Sequence, residues 1–275
     1  MQNLNAFSIN EIYPSKESLV KGMHCIMDVS DGARLKCWYK DENDVLFLYK
    51  ENKINTYGEY TFESLAEILA MRLCDQLGIP CVRIRYSPEA ILSQVMLPAT
   101  ELKSFVELSD EMSHSFHLSN LTTFNITTLL NPRTNPYCNR VVQMLLFDAL
   151  ISNSDRHPGN FMYSDSNGFY PLFDNGSSLC CYVRDCQIQD ILLDTNRFLA
   201  MCTTKSQPVL RDQQKLTHRQ LVEILRESYP KQFGNFSKSL GKLKIEELFD
   251  GISVSSKRKE LISKFLEYRA KWFEV

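Results

Sequence analysis

RVVQMLLFDALI, residues 140–151, is apolar on nearly every side when wound as a helix. A helix with no polar face must be enclosed by protein, so this segment predicts the centre of a large core. It ends abruptly in SNSDRHPGNF, residues 152–161, which puts an acid, a guanidinium, an imidazole and a carboxamide on a loop at the end of a rigid element. A chain of 275 residues is long enough to enclose such a helix without disulfide or metal staples.

The elements before and after this helix differ in kind. Residues 23–50 predict strands, in MHCIMDV, ARLKCWY and VLFLYK, separated by SDG and KDEND. In TFESLAEILAMRLCDQLGIP the apolar residues Phe62, Leu65, Ala66, Leu69, Leu73 and Leu77 recur at helical spacing, with Thr61 expected as N-cap and Gly78 and Pro80 as the stop. A strand is expected at 81–86. Beyond SQVMLPATEL the pattern turns helical, most clearly at 138–151, about 217–228 and about 256–273, with Thr217 and Ser256 as caps. Strands with one helix, then mostly helices, predict an α+β fold in two unequal lobes, residues 1–98 and 99–275, with a boundary near 95–101.

Composition removes several function classes. The chain is 44% hydrophobic and 23% charged, with no run of about 18 apolar residues to span a bilayer. Its start, MQNLNAFSIN, lacks the basic cluster and apolar core of a secretory signal, so a cytoplasmic location is expected. The nine cysteines form no pair of CxxC motifs and are expected as reduced thiols. A formal net charge of −2 argues against direct nucleic-acid binding. His24, His114, His117 and His218 lack metal-ligand spacing and predict packing or surface roles.

The chemistry concentrates after residue 151. Phe161, Met162 and Tyr163 are expected to pair with Tyr170, Leu172 and Phe173 through SDSNG, and a hairpin centred on Asn167 sets Asn160 opposite Asp174. A carboxylate and a carboxamide oxygen held together are hard ligands of the kind Mg²⁺ accepts beside nucleotide phosphates. Asp155, five residues before Asn160, stands where an acid can take the proton of an attacking hydroxyl. Arg156 either pairs with an acid or touches phosphate. Lys50 shares a strand face with Leu46 and Leu48, and an ammonium on a partly apolar face requires an anionic partner.

FDALISNSDRHPGNF followed by PLFDNGSSL resembles the catalytic segment of the HipA-like kinases, a branch of the protein-kinase-like fold that shares the D-R-H-x-x-N order with phosphatidylinositol kinases. Upstream, DGARLKCWYKDENDVLFLYK and GEYTFESLAEILAMRLCDQLGIP resemble the small lobe of that family. The resemblance implies ATP and Mg²⁺ as cofactors, Asp155 as catalytic base, Asn160 and Asp174 as metal ligands, and Lys50 on the ATP phosphates. Glu67 is implied as the partner of Lys50, although helical geometry sets Glu63 nearer the apolar stripe. Gly32 and Arg34, in SDGAR, mark the loop over the nucleotide, and His157 buttresses the catalytic loop. The implied activity is transfer of the γ-phosphate to a serine or threonine of a protein, with the chain itself as a further acceptor and an antitoxin-like regulator as a partner; the Ser/Thr-rich region 113–128 reads first as a surface loop and second as a place for autophosphorylation. A lipid or small-molecule acceptor at the same site, or a nucleotide-binding module without transfer, are the alternatives.

Overall fold

The computed structural model describes residues 11–28, 35–96, 103–104, 125–132, 135–164, 168–209 and 214–274. Gly32, Arg34, Asn167, the expected boundary at 98/99 and all of 105–124 lie outside these residues.

The first lobe is a five-stranded antiparallel sheet in the order β1-β2-β3-β5-β4, built from His24–Asp28 (β1), Lys36–Lys40 (β2), Leu46–Glu51 (β3), Ile84–Tyr86 (β4) and Ala90–Gln94 (β5). β5 is absent from the sequence reading because Ala90, Ile91 and Leu92 are all buried, so the segment carries no alternation to mark it as a strand. β5 lies between β3 and β4. It thereby makes β3 a central strand, with Lys50 opposite Lys36 on one side and Ile91 on the other.

One face of the sheet packs Phe47, Tyr49 and Leu92 against Leu19 of a short helix, α1 (Lys16–Leu19). The main helix of the lobe, α2 (Glu63–Leu77), contacts β4 and β5. Its stop is as expected: Gly78 takes the left-handed conformation at φ +66°, which costs glycine little. Its start is not. The N-cap position falls on Phe62, because the Thr61 hydroxyl donates to Glu63 Oε2 (3.0 Å) instead of accepting from the helix.

The second lobe holds α3 (Ile126–Leu129), α4 (Cys138–Ile151), α5 (Asp185–Leu193), α6 (Thr195–Cys202), α7 (His218–Ser228), α8 (Pro230–Leu240) and α9 (Ser256–Ala270). The apolar segment becomes α4 with the expected end, enclosed by α7, α8 and α9. Thr217 caps α7 as expected. Ser255, not Ser256, caps α9, its hydroxyl accepting from the Arg258 amide. A small sheet of Lys103–Ser104 (β6), Met162–Ser164 (β7) and Gly168–Phe169 (β8) stands near the loop, and a two-stranded ribbon of Lys205–Val209 (β9) and Lys215–Thr217 (β10) follows α6.

Apolar side chains of α2 and α4 share one core, so the two lobes are joined by buried surface as well as by the chain. Two fully buried arginines of α9 brace it from below. Arg258 donates to Asp185 Oδ1 (2.8 Å) and the Val183 carbonyl (2.6 Å) and lies 3.3 Å from the centre of the Phe62 ring. Arg269 donates to the Ala149 carbonyl and to Thr204 Oγ1, both at 2.8 Å. Among the described residues no helix is long and apolar enough to cross a membrane.

Candidate active site

At the end of α4 the chain turns through Ser152, a non-glycine residue at φ +61°, and enters the polar loop. Asn153 Oδ1 accepts from the Asp155 amide (3.0 Å), a tight local turn that the Asx side chain stabilises. The Asp155 carbonyl then receives two donors, the His157 amide (2.9 Å) and Asn160 Nδ2 (2.7 Å). His157 Nδ1 accepts from the Gly159 amide at 3.1 Å and caps the short 3₁₀ turn Pro158–Asn160. A Cβ on Gly159 would meet the His157 ring at 3.0 Å.

Beneath the loop lies Arg156, only 1% exposed. Its Nε and Nη2 reach Asp148 Oδ2 and Oδ1, both at 3.0 Å, and Nη2 also reaches Asn175 Oδ1 (2.5 Å). Nη1 donates to the Asn160 carbonyl (2.6 Å) and the Phe173 carbonyl (2.7 Å). All five N–H groups of the guanidinium therefore have acceptors. Burial opposes the charge of Arg156, but the adjacent Asp148 carboxylate holds its pKa above the usual range. Burial pushes the Asp148 carboxyl up while Arg156 pulls it down. With the guanidinium donating to both carboxylate oxygens, the ion pair is the state this geometry holds. Of the two expectations for Arg156, pairing with an acid is the one realised. Asp148 and Asn175 are the residues the sequence reading missed; the available signal was an acid inside an otherwise apolar helix, which demands a partner.

The hairpin differs from its expected register. Tyr163 pairs with Phe169 and Ser164 with Gly168, which moves the centre off Asn167, and Asn160 does not face Asp174 across a ladder. The physical reason is competition: Leu172 leaves the hairpin to pair with residues 80–82, its amide donating to Pro80 and its carbonyl accepting from Val82, both at 2.9 Å. Asn160 and the residue before Asp174 are brought together differently, since both their carbonyls accept from the same nitrogen of Arg156.

Asp174 adopts φ +52°, a left-handed conformation that costs a non-glycine residue on the order of 1 kcal/mol or more and that clusters at functional sites. Its Oδ1 lies 3.1 Å from Lys50 Nζ, so the ammonium on β3 has the anionic partner that its burial requires. Glu67 Oε2 accepts from the Asn175 amide at 2.9 Å. Lys50 and Glu67 thus converge on one dipeptide from a strand and a helix of the other lobe. Glu63 instead binds Lys53 Nζ (3.1 Å), the Lys53 amide (3.1 Å) and the Tyr182 hydroxyl (3.2 Å). Gly176 passes so close to α2 that an added Cβ would lie 3.4 Å from atoms of both Glu63 and Glu67.

The Asp155 carboxylate is half-buried and forms no hydrogen bond or ion pair among the described residues, while its main chain is fully committed. The Asn160 side chain, 5% exposed, spends its amide nitrogen on the Asp155 carbonyl and keeps its oxygen as an acceptor. Among the described residues no group of three His, Cys, Asp or Glu could hold a metal on its own. The donor set of Asp174 and Asn160 fits a hard divalent cation that takes its remaining ligands from water and phosphate oxygens.

No family model matches the chain, and no curated protein matches its sequence. Solved structures do match by shape. The proinflammatory kinase CtkA of Helicobacter pylori superposes with a TM-score of 0.71 over 90% of this chain and 92% of its own, at 15% identity. HipA of Shewanella oneidensis MR-1, solved with HipB and operator DNA, superposes with a TM-score of 0.52 over 95% of this chain and 67% of its own, at 12% identity. The chain therefore has the two-lobed fold of the HipA-like kinases.

Proposed function

We propose that the protein is an ATP- and Mg²⁺-dependent kinase that transfers the γ-phosphate to a serine or threonine hydroxyl of a protein. The single observation that carries this reading is the 3.1 Å contact between Lys50 Nζ and Asp174 Oδ1, which joins the central strand of one lobe to the loop of the other. Lys50 orients the nucleotide phosphates, and Asp174 and Asn160 hold the divalent ion. That ion, when bound, neutralises charge on the β- and γ-phosphates. Asp155 receives the proton of the acceptor hydroxyl and aligns its oxygen for in-line attack. Arg156 keeps Asn160 and the 173–175 segment in register without touching substrate, and His157 holds the turn between Asp155 and Asn160.

Support comes from the fold, from the Asp155 carboxylate, which has no partner among the described residues, and from the strained backbone that presents Asp174. Gly32 and Arg34 are proposed over the phosphates, and a protein regulator of antitoxin type is proposed as a partner. Incubation with labelled ATP and Mg²⁺, followed by mass spectrometry of the chain and of a lysate, tests the reading. Phosphoprotein that disappears in Asp155→Ala, with turnover lowered about 10²-fold or more and nucleotide affinity little changed, is the expected result. Equal turnover in the variant removes Asp155 from the role, and labelled lipid in place of protein replaces the acceptor class.

A further inference from the structure

The ribbon β9–β10 and the two residues that flank it, Thr204 and His218, contact three consecutive residues of the loop that carries Asp155. The hydroxyls of Thr204, at the foot of β9, and Ser152 are 2.6 Å apart. His218, directly after β10, contacts the Asn153 carbonyl through Nε2 (3.0 Å) and Thr204 Oγ1 through Nδ1 (2.7 Å). Gln207 donates Nε2 to the Ser154 carbonyl at 2.9 Å. The next residue in the loop is Asp155, so the ribbon is fixed relative to the carboxylate by one contact per residue.

The two faces of the ribbon differ in chemistry, as strand alternation requires. Ser206, Pro208 and Leu216 are buried, whereas Lys205 and Lys215 are exposed and Gln207 is half-buried. Gln207 is the member that reaches Ser154, so the face bearing the lysines is the one beside the loop. Lys215 Nζ donates to Gln207 Oε1 at 3.1 Å, which sets an ammonium two hydrogen bonds from the main chain next to Asp155. Among the described residues neither Lys205 nor Lys215 forms an ion pair. Two uncompensated cations beside an acidic cleft leave charge for an external partner.

We propose that this lysine-bearing face of β9–β10 is the ledge on which the acceptor segment lies, and that it selects a serine or threonine flanked by acidic residues. The inference rests on the kinase reading and adds to it the class of peptide. Asp174 is already paired with Lys50, whereas the Asp155 carboxylate beside the ledge repels an acid-flanked acceptor; the two lysines offset this repulsion, each exposed pair contributing modestly.

The test uses the 275-residue chain with Mg²⁺ and a non-hydrolysable ATP analogue, and reads the fluorescence anisotropy of three labelled peptides in which one serine is flanked by Glu, Ala or Lys. The same peptides are then offered with ATP. The Glu-flanked peptide is expected to bind about tenfold more tightly than the Lys-flanked one, with the gap narrowing as salt rises. The exposed charge reversals Lys205→Glu and Lys215→Glu together should level or invert the order. Equal binding of the three peptides, tighter binding of the Lys-flanked one, or a preference that survives the reversals overturns the ledge. Failure of the kinase reading registers separately, as no transfer from ATP to any peptide or to the chain itself while peptide binding persists, and that result overturns the acceptor role as well.

Discussion

Asp148 and Asp155 are seven residues apart and share the end of one helix and its loop, yet they live in opposite conditions. Asp148 is 2% exposed and accepts from Arg156 and Asn153, while the Asp155 carboxylate accepts nothing among the described residues. The first belongs to a hub in which the donors of Arg156 are all spent; the second stands in a cleft where the side-chain oxygen of Asn160 also remains an acceptor and the strained Asp174 meets Lys50. A polar group that is satisfied and sealed contributes rigidity, because every alternative arrangement leaves a buried charge unpaired. A polar group held in place by its backbone with its side chain uncommitted is available to a ligand. The hub and the cleft are separated by one peptide bond, between Asp155 and Arg156.

The sharpest way to break this contrast is Arg156→Leu. It strands Asp148 in the core and should lower unfolding free energy by about 3–5 kcal/mol in urea titration, and the double change with Asp148→Leu should recover part of that loss. If Arg156→Leu unfolds at the wild-type midpoint, the hub is not structural. Asp174→Asn should do the reverse: transfer from ATP falls by about 10²-fold or more, or about 3 kcal/mol, while the urea midpoint stays close to wild type. A large stability loss with activity retained would dissolve the distinction between the two regions.

A pH series sharpens the boundary between them. Burial, with Arg269 nearby, lowers the pKa of His218 from 6.5 to about 3. The unfolded state therefore binds the proton first. The stability from a neutral His218 is fully present above about pH 6.5 and is lost as pH falls toward 3. Between pH 7 and pH 5 this amounts to about 2 kcal/mol, and His218→Gln should flatten that part of the urea-midpoint profile. An unchanged slope in the variant assigns the acid sensitivity elsewhere. The smallest effect is expected from Tyr182→Phe, which removes a hydroxyl shared by Ser177 and Glu63 at a half-exposed position; the cost should stay near 1 kcal/mol or less by the same titration.

Much of the fold was legible because its signals are local. Strand alternation, the stripe of α2, Gly78 and the unbroken apolar run of α4 each depend on a few neighbouring residues. Elements with little buried surface left no such trace: in α5 only Ile188 is buried, so there was no stripe to detect. Lys50 could be assigned an anionic partner in advance because burial of an ammonium forces one, but that partner's identity depended on long-range packing. Lys50 meets Asp174, and Glu67 meets the neighbouring amide. The hairpin register failed for a related reason, since the pull of Pro80 and Val82 on Leu172 comes from the other lobe. Thr61 and Ser256 show the limit at finer scale, where the choice of cap depended on a single side-chain contact.

The two buried arginines of α9 have a consequence for how the molecule is made. Arg269 supports the carbonyl of Ala149, and Arg258 ties Val183 and Asp185 to the Phe62 ring at the head of α2. On the ribosome every element of the cleft emerges before this helix does, so the earlier segments wait with those acceptors open to water. The ends of α2 and α4 acquire this brace only when α9 leaves the exit tunnel, and a nascent chain stalled ahead of Ser256 would carry all the polar groups of the site without it.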